Sequence, residues 1–154
     1  MITVEINDDL ISAALASAQA QLGDMSNLMG KLAVLIVDQT EQRFTEGKSP
    51  EGVPWAPRSA VTIANYKRRK LAYGGLLHLT GQLSGNLGSA YGPDFAEVTT
   101  AEPYAAMMQF GGTRAAFPNL WGNIPARPFM GLSDENQTDI LDTIGEALAS
   151  ALTP

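Results

Sequence analysis

The sequence contains no cysteine and a single histidine, His78, among its 154 residues. Without cysteine there is no disulfide, no thiolate nucleophile and no cysteine metal site. With one histidine, a zinc centre of two histidines and a third ligand cannot form within one chain. A Ser-His-Asp triad would have to use His78, which lies in "LLHLT" and reads more simply as a histidine partly buried beside leucines. No apolar run approaches the ~20 residues of a membrane span. "MITVEINDDL" has no basic segment followed by an apolar stretch, so no secretory signal is visible and folding in the cytoplasm is expected. Charge is sparse, at 17% of residues, which suggests neutral or apolar surface that meets a partner. Basic residues are scarcest in the second half. Residues 1–77 hold 8 basic and 8 acidic side chains, and residues 78–154 hold 2 and 8, so the net −6 arises entirely there. An acidic chain is poorly suited to wrapping nucleic acid. The imbalance fits either a solvated acidic face or the polarity of a head-to-tail assembly.

What is present is ordinary globular material: 45% hydrophobic residues in a length sufficient for one core. "MITVEI" alternates like a half-buried strand. Asn7 or Asp8 then caps a helix carrying Leu10, Ile11, Ala14, Leu15, Ala18 and Leu22. Gly23 interrupts, and Asp24 or Ser26 restarts a long second helix. Its stripe is Met25, Leu28, Met29, Leu32, Leu35, Ile36, Thr40 and Phe44, ending at Gly47. Its middle, "LAVLIV", is apolar nearly all round, which suggests a sheet on one side and another helix or a subunit on the other. Residues 58–70 read as a short helix with Ser59 near its start, and Thr80 as the cap of another through Leu83 and Leu87. Residues 87–91 and 95–100 flank a Gly-Pro-Asp turn as antiparallel strands. "PYAAMMQFGG" (103–112) reads as a helix stopped by two glycines, and 113–126 as a long flexible loop. "RPFMGL" (127–132) suits an edge strand. Ser133 caps a last helix with Ile140, Leu141, Ile144, Leu148 and Leu152 on its buried face. The expected architecture is α+β: one domain over 1–154, with about four antiparallel strands and helices mainly on one face.

Motifs for small-molecule chemistry fail on inspection. "GKS" (47–49) resembles the end of a phosphate-binding loop, but Gln42 stands where the first glycine belongs, and prolines follow instead of a helix. Gly81, Gly85 and Gly88 do not make a dinucleotide fingerprint, and Glu97 and Glu102 are isolated acids. The one basic cluster, Lys67, Arg68, Arg69 and Lys70, is a candidate phosphate contact or a solvated helix face. Tyr66 and Tyr73 lie near enough in sequence to stack on bases.

Four segments, taken together and in order, are more specific: "RFTEGKSPEGVPWAPRS" (43–59), "LLHLTGQLSGNL" (76–87), "PYAAMMQFGG" (103–112) and "IPARPFMGLS" (124–133). This arrangement resembles the phage virion morphogenesis family, the tail-completion proteins of Mu-like and P2-like contractile-tailed phages and prophages. The likeness covers nearly the whole chain, and "TRAAFPNLWGN" (113–123) stands as a modest insert. It implies a structural, non-enzymatic protein with a fold like that of tail-terminator and neck proteins. No catalytic residue, metal or cofactor is expected. The implied partners are further copies of the chain in a ring, six-fold as contractile tails are, with tail tube and head-connector proteins. DNA passing through the pore is the alternative partner, and no membrane is involved. The implied location is the virion tail or neck, assembled in the bacterial host cytoplasm. The signature and candidate interface residues are Phe44, Trp55, Tyr104, Gln109, Gly111, Gly112, Arg127 and Phe129. Pro50, Pro54 and Pro57 stiffen the loop that carries Trp55. Trp55 anchors that loop to its own domain or docks in a neighbour, and Arg127 pairs with a carboxylate within or across subunits.

Overall fold

The computed structural model describes residue 4 and residues 8–77, 80–120 and 122–153. Its elements are α1 (Asp9–Leu22), α2 (Ser26–Glu46), α3 (Ala60–Arg68), α4 (Gln82–Gly85), β1 (Leu87–Tyr91), β2 (Ala96–Thr100), α5 (Ala105–Phe110) and α6 (Asp134–Leu152). The fold is α+β with a two-stranded antiparallel sheet.

Local chemistry explains most boundaries. Asp8 Oδ1 accepts the Ile11 N–H at 2.9 Å and opens α1. Asp24 Oδ1 accepts the Ser26 N–H at 2.9 Å at the start of α2. Ser59 caps α3 through the Thr62 N–H. Ser133 and Asn136 exchange bonds in a capping box at α6. Gly23, Gly47 and Gly111 stop α1, α2 and α5 at φ of 69°, 67° and 70°, where only glycine rests without strain.

The chain divides into two compact units. The helical unit comprises 3–39, 88–99 and 132–154, and the motif unit comprises 1–2, 40–87 and 100–131. In the helical unit, α1 packs against α6. Ala18, Met25, Leu28, Met29, Leu32, Ile140 and Ile144 form its core. Gly30 makes room for a sheet residue, since a Cβ there would stand 3.2 Å from Cζ of Tyr91. Gln39 ties α2 to α6 by donating to Asp139 Oδ2 at 3.2 Å. Val34, within the apolar middle of α2, is 58% exposed, so no described part of its own chain covers that face.

Several expectations change. The strand expected at 1–6 lies outside the described residues apart from Val4. Residues 127–132 are not a strand. Pro128 has no N–H to offer, and the next two N–H groups go to a side chain rather than to a neighbouring strand. Of about four expected strands, β1 and β2 are present among the described residues. α4 is entered through Gly81 in the left-handed region, without a side-chain cap. Thr80 is therefore not its cap and meets Gln82 Oε1 instead.

Candidate functional site

The family-like segments converge in the motif unit. Phe44 closes α2 with its ring 5.6 Å from that of Trp55 and 5.4 Å from that of Phe129. Trp55 is 5% exposed, and its indole N–H donates to the Pro128 carbonyl at 2.8 Å. The tryptophan is thus an internal anchor for the proline-rich loop. Hydrogen bonds from Ser49 N to Val53 O and from Trp55 N to Gly47 O fold the loop on itself. Arg43 Nη1 donates to the Phe129 carbonyl at 2.8 Å. Burial lowers the Arg43 pKa, opposed by the nearby charges of Glu51 and Glu46.

Gln109 holds the segment that follows Pro128. Its Oε1 accepts the Phe129 and Met130 N–H groups at 3.0 Å each, and its Nε2 donates to Met130 O at 3.0 Å. One buried amide thereby satisfies three backbone groups. Gly111 makes this possible. It sits at φ 70°, and a Cβ there would be 2.7 Å from both Ala126 N and Ile124 O. Gly112 pairs with Ile124 in both directions, at 2.9 and 2.8 Å, and closes the base of the 113–123 insert. A Cβ on Gly112 would strike Met107 Sδ.

Arg127 is 8% exposed. Its Nε donates to Ala56 O at 2.8 Å and its Nη2 to Pro57 O at 2.9 Å, and no carboxylate pairs with it among the described residues. Burial lowers its pKa, and the neighbouring Arg58 lowers it further. Both arginines line an open cleft of about 540 Å³ with Thr62, Tyr66, Tyr104, Met108 and Ile124. Among the described residues, no Asp or Glu lines it. Tyr104, 40% exposed, is at its edge. Burial pushes the phenol pKa up, and the charge of Glu102 adds to this.

Arg58 stands beside Pro57 in a family-like segment. Its guanidinium lies over the rings of Tyr73 (4.8 Å) and Tyr66 (5.8 Å) and donates to the Gly74 and Gly75 carbonyls. A basic residue followed by two tyrosines is the signal that would have found it. Those tyrosines pack on each other, with centroids 5.1 Å apart. Lys67, Arg68, Arg69 and Lys70 are all exposed at the end of α3, and Arg68 holds Asn65 Oδ1 at 2.9 Å. His78 lies outside the described residues. No group of three or more acids or histidines suited to a metal ion occurs among the described residues. No described helix is long and apolar enough to cross a membrane.

The signature residues other than Tyr104 are thus spent on one scaffold, and what they leave outward is a cleft and a basic helix end. Comparison with known proteins gives this arrangement its context. No solved structure matches the chain. It is 33% identical over 122 residues to the "Putative capsid assembly protein G" of Escherichia phage Mu, covering 79% of this chain and 78% of the Mu protein. It is 32% identical over 145 residues to the "Mu-like prophage FluMu G protein 2" of Haemophilus influenzae, covering 94% of each. Identity to the "Mu-like prophage FluMu G protein 1" of the same bacterium is 27% over 135 residues, covering 84% of each. The model of the phage virion morphogenesis family matches residues 6–149. With nearly the whole chain matched, this protein belongs to the phage virion morphogenesis family.

Proposed function

We propose that this structural virion-assembly protein acts in tail completion and head–tail joining, as a ring at the end of the tail. The ring would cap the tail tube, end its polymerisation and offer a surface to the head connector. Six-fold symmetry matches that of a contractile tail. The observation that carries this reading is the fate of the signature residues. Phe44, Trp55, Gln109, Arg127 and Phe129 are buried and bonded within the chain. They shape a rigid presenting surface rather than a set of reacting groups. The relatives' printed names, a capsid assembly protein and Mu-like prophage G proteins, agree with a place in the particle.

Electron microscopy of particles made with the gene deleted tests this. Filled heads separate from unjoined or overlong tails are expected. Intact, infectious virions would overturn the reading.

A second reading rests on four consecutive exposed basic residues, Lys67 to Lys70, as a contact for DNA in the pore. Salt-dependent DNA binding that disappears when all four are changed to alanine would support it.

A further inference from the structure

We propose that the cleft containing Arg58 and Arg127, together with the basic end of α3, receives the acidic face of α6 from a second copy of this chain. The proposal rests on the ring reading above and names the two surfaces that would form each ring contact.

The receptor half is visible in the motif unit. Arg127 is more than nine-tenths buried and lacks a carboxylate partner among the described residues. The Ala56 and Pro57 carbonyls satisfy two of its donors but leave its positive charge without a counter-charge. A second cation, Arg58, shares the same cleft, and no acid lines it among the described residues. Ser59, Thr62 and Tyr66 place one face of α3 along the cleft, and Lys67 to Lys70 extend positive charge beyond it. The apolar lining, including Met108 and Ile124, suits the stem of an inserted acidic side chain as well as its charge.

The ligand half lies in the same sequence. The motif unit carries nine Lys or Arg against four Asp or Glu, a net +5. The helical unit carries one against twelve, a net −11, and together these give the −6 of the chain. On α6, Glu135, Asp142 and Glu146 share one exposed face at helical spacing, while Asp139 beside them accepts from Gln39 of α2. They lie opposite the buried Ile140 and Ile144. A helix face bearing three open carboxylates is the complement of a cleft bearing two arginines with four more cations beside it. Receptor and ligand are different surfaces of one chain, so a contact that repeats head to tail builds a ring or a filament, whereas a reciprocal one closes as a pair. The complementary carboxylates are carried by this same sequence, which makes a second copy the occupant.

The test uses the purified full chain in sedimentation velocity at low salt. One variant, Arg68→Glu/Arg69→Glu, reverses the receptor rim. A second, Asp142→Lys/Glu146→Lys, reverses the ligand face. All four positions are exposed, so circular dichroism should report unchanged folding. The wild type is expected to form oligomers, and each variant alone to associate at least ~10-fold more weakly. An equimolar mixture of the two variants should reassemble, because each supplies the charge that the other now needs. Thr62→Trp, which fills the cleft, should also weaken association.

Oligomers that survive both reversals would overturn this docking while leaving a ring intact. A wild type that stays monomeric would overturn the docking and the ring together. Assembly indifferent to Thr62→Trp would overturn the cleft as receptor. DNA binding abolished by the first variant, with self-association unchanged in both, would assign the basic cluster to nucleic acid instead.

Discussion

At the scale of single residues, the motif unit depends on a few groups whose partners are far away in sequence. Gln109 is the clearest. Gln109→Leu keeps the approximate volume but leaves two N–H groups and one carbonyl without partners in a buried place. At about 1–3 kcal/mol for each buried unsatisfied group, a loss of at least ~3 kcal/mol is expected. A urea denaturation curve should record it as a lower midpoint at constant slope. Gly111→Ala should cost more than ~1 kcal/mol, since the new Cβ meets fixed backbone at 2.7 Å and the φ of 70° adds strain. Gly122 has open space and no unusual φ, so Gly122→Ala should fall within about 0.5 kcal/mol of wild type. The pattern Tyr-Ala-x-x-x-Gln-x-Gly-Gly was readable in the sequence, but the work done by its glutamine was not. Its partners lie about twenty residues on, and no local propensity encodes that pairing. Trp55 was similarly open between anchoring its own loop and docking in a neighbour. Within the chain, its bond to Pro128 consumes the indole donor and buries the ring.

At the scale of elements, helices were legible where caps and periodicity agreed. Asp8, Ser59 and Ser133 start helices as the sequence suggested, and Gly23, Gly47 and Gly111 end them. The segment 127–132 misled because it has strand-like composition, yet a side chain takes its backbone donors. Thr80 misled because Gly81 reached a left-handed entry that needs no cap. Within α6, Gly145 is exposed and meets nothing within 4 Å. Gly145→Ala should therefore stabilise the chain by about 0.5–1 kcal/mol, read as a raised urea midpoint. The cap of α1 gives a pH prediction. The Ile11 N–H holds the Asp8 carboxylate below its ordinary value of 3.8, helped by the Gln137 side chain and opposed by desolvation. A pKa lowered on folding stabilises above the unfolded value, and the benefit is lost as pH falls through the folded one. Asp8→Asn keeps a capping oxygen but cannot titrate. Thermal melts should show wild type more stable than this variant at neutral pH, and the gap should close as the pH falls below 3.8.

At the scale of the whole molecule, the informative quantity is the distribution of charge and not its total. The sequence halves suggested a neutral first half and an acidic second. The three-dimensional units sharpen this to +5 and −11, because each draws on segments from both halves of the chain. That regrouping could not be read from sequence order, since it depends on which distant segments pack together. Opposite charge on two surfaces of one chain predicts how self-association responds to salt. The Debye length is about 10 Å at 0.1 M and 3 Å at 1 M, so exposed charge pairs are strongly screened at the higher value. A contact made chiefly by Lys67 to Lys70 and the α6 carboxylates should therefore weaken steadily as sodium chloride is raised. An apolar contact would persist, and sulfate would strengthen it through exclusion from the protein surface. Sedimentation velocity across a sodium chloride series, repeated in sodium sulfate at matched ionic strength, separates the two. Charge-driven assembly should dissociate in both salts at similar ionic strength. Assembly that survives in chloride and grows in sulfate would place the contact on the exposed apolar side chains, such as Val34 and Phe110, and away from the acidic face of α6.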